Sequence, residues 1–318
     1  MPPLRAAPGP PRGVVARGDP ITADFGQWPG SPRADRAGDP ITTLEEGQAV
    51  AIVTALNQKG GVGKTSTCYH LGGVLAAAGR RVLLVDGDPQ SSLTQGFLGP
   101  QGTRLLDPAT TIDAILAGDA PFAEQVVRPT GVPGLYLVPG SREATRHNVP
   151  LPHQSDWMGQ VALRDFLTPI AAGYDLVLID VPPNLHLCSW AALVASDAVV
   201  VPLQPEDFGA QGIGDVWESV SRVQAGPNPD LRHLGYLITM LSPRRAVHQL
   251  YVQRLRDLYG AAVFAQAVPE STDFVEAIMQ RKTVGQYKPK GAAAKAIKAV
   301  GAELLARLAA APGSVEAA

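Results

Sequence analysis

The sequence predicts an α/β fold in which helices cover both faces of a mostly parallel, twisted sheet. Short apolar runs that suit buried strands alternate along the chain with longer segments of helical length. The first apolar run leads directly into a glycine-rich loop, and a helical pattern follows that loop. Because parallel strands need long crossover connections, this alternation indicates successive βαβ units.

The predicted strands are nearly continuous in apolar residues, which is typical of strands that are buried on both faces of a parallel sheet. They cover residues 49–56, 81–86, 135–139, 176–180, 198–202 and 234–239. The predicted helices include residues 65–78, 158–172, 210–225, 246–259 and 291–310. No second core is evident in the pattern, so we expect one ordered domain over residues 48–311.

The two ends of the chain differ from this domain. Residues 1–47 are rich in Pro and Gly and show neither helical nor strand periodicity, so we expect a disordered tail. Within it, Gly-Asp-Pro-Ile-Thr begins at Gly18 and recurs at Gly38, either as a duplicated linker or as a docking motif used twice. We expect residues 312–318 to form a flexible C-terminus.

The composition sets limits on function. The chain of 318 residues has a formal net charge of −2, so binding to nucleic acid or an anionic membrane requires a local patch. Two cysteines, Cys68 and Cys188, are too few for a disulfide framework or a four-thiolate metal site. No apolar run approaches the roughly 18 residues that span a bilayer, and no secretory signal is evident. We therefore expect a cytoplasmic protein.

The glycine-rich loop has the composition of a phosphate-binding loop. Its glycines let backbone N–H groups turn toward phosphate oxygens, and the N-terminus of the next helix favours the same negative charge. Lys64 suits the β- and γ-phosphates, and the Thr65 hydroxyl suits magnesium. The predicted nucleotide-binding residues of the loop are Lys59, Gly60, Gly61, Val62, Gly63, Lys64, Thr65 and Ser66.

Aspartates follow two of the predicted strands, at the edge where open parallel sheets bind ligands. Asp88 is the candidate to orient or deprotonate the attacking water, and Asp86 is expected to support the metal or the loop. Asp180 closes an apolar strand of the Walker B type, whose carboxylate contacts magnesium. The predicted metal residues are therefore Thr65, Asp86 and Asp180.

Together these motifs resemble the ParA family of partition and positioning ATPases, with the deviant Walker A loop. The motifs are Lys59-Gly-Gly-Val-Gly-Lys-Thr, Asp86-Gly-Asp-Pro-Gln, Asp180-Val-Pro-Pro, Gly235-Tyr-Leu-Ile-Thr-Met240 and Val268-Pro269-Glu. The resemblance covers roughly residues 50–308 and implies a P-loop NTPase fold of the SIMIBI type, with ATP and Mg²⁺ as cofactors. It assigns Met240 and Pro269 to the nucleotide site. Gln58 replaces a glycine of the usual loop, and Ser91-Ser92 replaces the family's Gly-Asn.

The resemblance also implies a mechanism. Lys59 would reach across a homodimer interface to the partner's nucleotide, so the catalytic residues are expected to be Lys59, Lys64 and Asp88. The ATP-bound dimer would bind DNA without sequence preference, and a ParB-like partner would stimulate hydrolysis and release, positioning a chromosome, plasmid or other cargo. The chain resembles the short members, which lack a helix-turn-helix domain, and we expect it at the nucleoid.

DNA binding needs several cations on one surface. Five of the seven lysines fall between residues 282 and 298, although a solvated surface with scattered cations is the alternative. The DNA-binding candidates are Arg222, Arg244, Arg245, Lys282, Lys288 and Lys290.

Two other functions stay open at this point. The last predicted helix has an apolar stripe that could anchor a MinD-like ATPase to a membrane, although such a stripe more often docks on the core. A metabolic enzyme on the same fold, such as a nitrogenase-like iron protein or a biosynthetic ligase, is the third class.

Overall fold

The structure is a computed structural model that describes residues 50–205 and 210–310. The predicted disordered tail, with its repeated Gly-Asp-Pro-Ile-Thr, and the predicted flexible C-terminus lie outside the described residues. Both therefore stay predictions.

The described chain forms a seven-stranded sheet with helices between most of its strands. The strands are β1 Ala51–Ala55, β2 Val82–Asp86, β3 Arg128–Pro129, β4 Leu135–Val138, β5 Leu176–Asp180, β6 Ala198–Leu203 and β7 Arg232–Ile238. The first helices are α1 Lys64–Ala77, α2 Ser92–Arg104, α3 Ile112–Leu116, α4 Ala123–Val126, α5 Trp157–Ala171 and α6 Leu187–Ala195. The others are α7 Ala210–Gln224, α8 Ala246–Tyr259, α9 Thr272–Met279, α10 Val284–Tyr287 and α11 Ala292–Ala309.

The sheet is mostly parallel, as the sequence predicts. Its strand order is β3-β4-β2-β5-β1-β6-β7, and only the short edge strand β3 pairs antiparallel with its neighbour. All six predicted strands and all five predicted helices are present, with bounds that shift by at most a few residues. The central position of β1 places the loop after it in the middle of the sheet's carboxyl edge.

Two apolar layers explain why the strands read as continuous apolar runs. In β2, Leu83 and Val85 join the core on the side of α5 to α8, and Val82 and Leu84 join the core on the side of α1 and α11. Since successive strand side chains point to opposite faces, a strand between two helical layers must be apolar at every position. Alternate side chains of one strand therefore pack against the two helical layers.

Helix α11 uses its apolar stripe to dock on the core. Ile297, Val300 and Leu304 are each 1% exposed, and a Cβ on Gly301 would lie 3.1 Å from Leu71 of α1. The stripe is therefore occupied by α1, which contradicts the membrane-anchor interpretation of this helix and confirms docking. Among the residues that the structure describes, no helix is both long enough and apolar enough to cross a membrane.

A steric contact between α1 and the residue before α10 predicts a stability difference between two glycines. A Cβ on Gly73 would lie 2.5 Å from Cβ of Thr283, which is buried, so Gly73→Ala forces the two segments apart. We expect it to lower the free energy of unfolding by about 1–3 kcal/mol.

Gly214→Ala is the matched control, because Gly214 is a helical glycine with open space around its Cβ position. It should raise the free energy of unfolding by about 0.5–1 kcal/mol. Urea unfolding followed by circular dichroism measures both variants. Equal stability of the two proteins would contradict the close approach of α1 and Thr283.

Candidate nucleotide site

The loop between β1 and α1 folds as a backbone cradle. Gly61 and Gly63 have φ angles of 79° and 83°, in the left-handed region that disfavours residues with a Cβ. Gly63 is the residue directly before α1, and the Thr67 amide donates to its carbonyl at 2.8 Å. The glycines therefore fix the path by which the chain leaves the strand and starts the helix.

The N-terminus of α1 is left available to an anion. No side chain caps it, and its first turn contains no acidic residue. The first N–H groups of a helix have no partner within the helix, and they carry the positive end of its dipole. An end with no competing carboxylate fits a phosphate group.

Lys64 closes the cradle from within. Its Nζ donates to the backbone carbonyls of Asn57 at 2.9 Å and of Lys59 at 3.0 Å. Burial lowers the pKa of Lys64, and the nearby carboxylates of Asp180 and Asp88 oppose that shift. Phosphate oxygens are stronger hydrogen-bond acceptors than backbone carbonyls. The Lys64 ammonium can therefore exchange these bonds for bonds to a bound phosphate.

Two aspartates meet at the ends of neighbouring strands. Asp86 ends β2 and Asp180 ends β5, and the two are paired in the register of the sheet. Burial and mutual repulsion raise the pKa of Asp180 well above its usual range, which the nearby Thr65 hydroxyl only partly offsets. Burial raises the pKa of Asp86 to about 7, although hydrogen bonds from Thr94 lower it. Two buried carboxylates this close favour a cation between them.

The third carboxylate lies on the loop after β2. Asp88 is 9% exposed, and its Oδ1 accepts a hydrogen bond from the Gln90 amide at 2.9 Å. Burial raises its pKa, and the charge of Lys64 lowers it. Asp88 is therefore within electrostatic range of the lysine that faces the predicted γ-phosphate.

The unpartnered atoms of the site fit a hydrated magnesium ion. Both carboxylate oxygens of Asp180 and Oδ1 of Asp86 are buried without a well-aligned hydrogen-bond partner. In the described part of the chain, no cluster of three or more His, Cys, Asp or Glu is arranged to hold a metal alone. Magnesium keeps several waters and takes ligands from nucleotide phosphates, so a site with few protein ligands suits it.

Three polar residues that the sequence does not single out hold this site together. Thr239 at the end of β7 donates from its hydroxyl to the Val62 carbonyl at 2.8 Å. Asn57 bonds Pro202 at 2.7 Å and receives the Lys59 amide at 2.8 Å. Thr94 donates to Asp86 from both its amide and its hydroxyl, at 2.7 and 2.6 Å.

The other predicted nucleotide-site residues lie at different distances from the loop. Met240 has a φ of 52°, and its Cε would be 3.7 Å from a Cβ on Gly63, so it flanks the cradle. Pro269 lies in a bridge to Leu241, the residue after Met240. Both thus belong to the edge of the sheet beyond β7. Ser66 is in the first turn of α1.

The DNA-binding candidates fall on separate segments. Arg222 is on α7 and pairs with Glu218 at 2.6 Å, and Arg244 and Arg245 precede α8. Lys288 lies between Asp273, at 2.5 Å, and Glu276, at 3.3 Å. Lys282 and Lys290 lie on either side of α10 and are exposed.

The chain is similar in sequence to known proteins. A family model described as an AAA domain matches residues 50–233. A chromosome partitioning protein ParA of Myxococcus xanthus is 36% identical over 256 residues, which are 80% of this chain and 88% of that protein. The chain belongs to the ParA family of partition ATPases. A chromosome-partitioning ATPase Soj of Thermus thermophilus, another member, is 37% identical over 259 residues, 81% of this chain and 97% of its own length.

One solved structure with a similar fold contains a bound nucleotide and a metal ion. A protein described as cobyrinic acid a,c-diamide synthase from Mycobacterium smegmatis, with bound ADP and magnesium, has a TM-score of 0.68 and 28% identity. The match covers 84% of this chain and 98% of that one. These comparisons confirm the predicted family, the P-loop NTPase fold, the ATPase activity and the cofactors ATP and Mg²⁺. The roles of individual ParA-family site residues in this chain stay predictions.

The positions of Lys64 and Asp88 predict different losses on substitution. Lys64→Ala removes the buried ammonium of the cradle, so binding of Mg-ADP should fall below detection in isothermal titration calorimetry. Asp88→Ala should retain ATP binding within a few-fold and lower turnover by about 10²–10⁴-fold.

Lys298→Ala is the control for loss of a lysine, because Lys298 is exposed on α11, away from the cradle. Phosphate release during steady-state hydrolysis measures turnover. Wild-type turnover by Asp88→Ala would refute the role of this carboxylate.

Proposed function

We propose that this chain is an ATP-gated homodimer that binds DNA without sequence preference and positions cargo under the control of a ParB-like partner. The observation that carries the proposal is the arrangement of two lysines in one phosphate loop. Lys64 is buried beneath the loop and Lys59 is exposed above it. One lysine is sufficient for the nucleotide of its own subunit, so we assign the exposed one to the nucleotide of a second subunit.

The local geometry supports this role for Lys59. Its backbone is fixed on both sides, since its amide donates to Asn57 and its carbonyl accepts from Lys64. The backbone is thus held in place while the residue itself remains exposed. An ammonium that arrives from the partner adds positive charge at the phosphates only when two subunits meet, which couples nucleotide binding to dimerisation.

The DNA-binding surface is proposed on the cations with the fewest internal partners. Arg244, Lys282 and Lys290 are exposed, and none of them forms an ion pair with another described residue. Lys288 was a candidate by sequence, but the neighbouring Asp273 and Glu276 already neutralise it and raise its pKa. Lys295 and Lys298 extend the exposed charge along α11. A dimer presents each cation twice, which strengthens weak contacts through bivalency.

The names of the relatives support the proposed cargo. The matched proteins of Myxococcus xanthus and Thermus thermophilus are both described as chromosome-partitioning proteins. We propose a chromosome or plasmid as the cargo, a ParB-like protein as the stimulating partner, and the nucleoid as the location. The MinD-like alternative loses its main support because α11, the predicted anchor, is docked on α1.

Lys59→Ala separates the two lysines experimentally. We expect this variant to bind Mg-ATP with nearly wild-type affinity and to stay monomeric at concentrations where the wild type dimerises. Analytical ultracentrifugation of the ATP-bound proteins, with the hydrolysis-defective Asp88→Ala background to prevent turnover, measures the dimer fraction. An unchanged sedimentation profile would rule out an intersubunit role for Lys59.

DNA binding is tested by its dependence on salt. The double variant Lys282→Ala/Lys290→Ala should weaken ATP-dependent DNA binding for all sequences alike. It should also reduce the slope of log K against log salt by about one for each lost phosphate contact.

Arg164→Ala, which removes a half-buried charge of α5 that pairs with Asp165, should leave the slope unchanged. Co-sedimentation with DNA or with anionic liposomes in the presence of ATP is the companion assay. Binding to liposomes alone would refute the DNA proposal and favour the MinD-like alternative.

A further inference from the structure

A second hollow opens at the carboxyl edge of the sheet, beside the loops that follow β2 and β4. Its volume is about 320 Å³, which falls within the range of small-molecule sites. β4 is three strands away from β1 in the sheet order, about 14 Å at the usual spacing of strands. No residue of the phosphate loop lines the hollow, so the two are distinct, although they share the edge at which parallel sheets bind ligands.

Two arginines line this hollow. Arg104 ends α2 and Arg142 follows β4, and both are exposed. Within the described part of the chain, neither guanidinium has a hydrogen bond or an ion pair. The lining also includes Glu143, but the carboxylate of this residue already accepts a hydrogen bond from the Ser141 hydroxyl at 2.6 Å. The net charge of the lining is positive, which favours an anion.

The rest of the lining is suited to an uncharged ring. Pro100, Leu106 and Pro108 contribute apolar surface, and Gln95 and Thr103 contribute polar groups. The Gln95 amide nitrogen donates to the Gln90 carbonyl at 2.8 Å, which leaves its oxygen to accept from a ligand. Binding sites for small molecules commonly combine such apolar surface with a few polar groups that fix orientation.

The floor of the hollow is rigid before any ligand arrives. The Gly140 amide donates to the Thr94 hydroxyl at 2.7 Å, and this hydroxyl donates to Asp86. A Cβ on Gly140 would lie 2.7 Å from the carboxyl carbon of Asp86, so this position has no room for a side chain. The Ser91 amide donates to the Asp88 carbonyl at 2.7 Å. A preformed floor lowers the entropic cost of binding.

We propose that this hollow binds a small phosphate-bearing molecule of mononucleotide size, separate from the ATP in the phosphate loop. Arg104 and Arg142 donate hydrogen bonds to the phosphate, and the ring of the ligand packs against the apolar surface. A phosphate is favoured over a carboxylate because its three terminal oxygens can accept from both guanidinium forks at once. Because the floor is bonded to Asp86 and Asp88, the ligand contacts the loop that carries the proposed catalytic carboxylate. The site depends on neither DNA binding nor a ParB-like partner.

AMP is the probe, in calorimetric titrations of the full chain whose phosphate loop is already saturated with Mg-ADP. We expect saturable binding of AMP that inorganic phosphate displaces by competition. Arg104→Ala and Arg142→Ala should each weaken it by about tenfold, since each removes a charge-assisted contact to phosphate. In the Lys64→Ala variant, whose phosphate loop is impaired, saturable binding of AMP should persist.

The double variant Arg164→Ala/Arg254→Ala is the control, because it removes the same charge from a half-buried position on α5 and an exposed position on α8. It should bind AMP like the wild type. The proposal would be overturned by an absence of binding at millimolar AMP, or by an equal loss of affinity in this control. Loss of AMP binding in Lys64→Ala would likewise assign the observed heat to the phosphate loop.

Discussion

The structure depends on a group of buried ionisable side chains at one edge of the sheet, whose charges the protein alone does not neutralise. One buried ammonium, that of Lys64, interacts with the carboxyl groups of Asp88 and Asp180, and the carboxyl group of Asp86 is buried at the same edge. Burial raises the pKa of all three carboxyls, because their charges are taken out of water without enough partners. A dication and a polyphosphate would bring the missing charges of both signs. The site is therefore built for Mg-nucleotide, and the protein alone leaves it incomplete.

The framework around this site keeps its groups from relaxing away. Asp86 and Asp180 are register partners on adjacent central strands, and these strands are buried between two helical layers. Thr239 holds the phosphate loop to β7, across 177 residues of sequence. Long-range bonds of this kind fix the cradle relative to the sheet, so the packing of the whole domain maintains the geometry of the site. In the proposed dimer, this rigid framework would present Lys59 to the second subunit.

The two ligand sites that we infer share this framework. Asp86 and Asp88 lie between the phosphate loop and the arginine-lined hollow. Thr94 connects the Asp86 carboxylate with the hollow's floor, and Ser91 connects the Asp88 backbone carbonyl with it. A ligand in the hollow and a nucleotide in the phosphate loop would therefore both act on the short loop that carries Asp88. This arrangement would let the ligand of the hollow influence ATP hydrolysis, and through it the proposed positioning of cargo.

The sequence by itself determined the sheet, the phosphate loop and the choice of Asp86, Asp88 and Asp180, because local order along the chain encodes them. Strand–loop–helix order is a short-range property, and aspartates at strand ends need no distant partner to be recognised. The predicted elements did not include the strand β3 or the helices α2, α3, α4, α6, α9 and α10. Segments of two to five residues have no measurable periodicity, and α2 is interrupted by the non-helical Gly99 and by Pro100.

Only the tertiary structure decided what depends on contacts between distant segments. It showed that α11 covers α1, that Lys288 is neutralised by carboxylates of α9, and that Thr94 and Thr239 brace the site. The hollow beside Arg104 and Arg142 was also invisible in the sequence. Its two arginines are 38 positions apart, and only the adjacency of β2 and β4 brings their segments together.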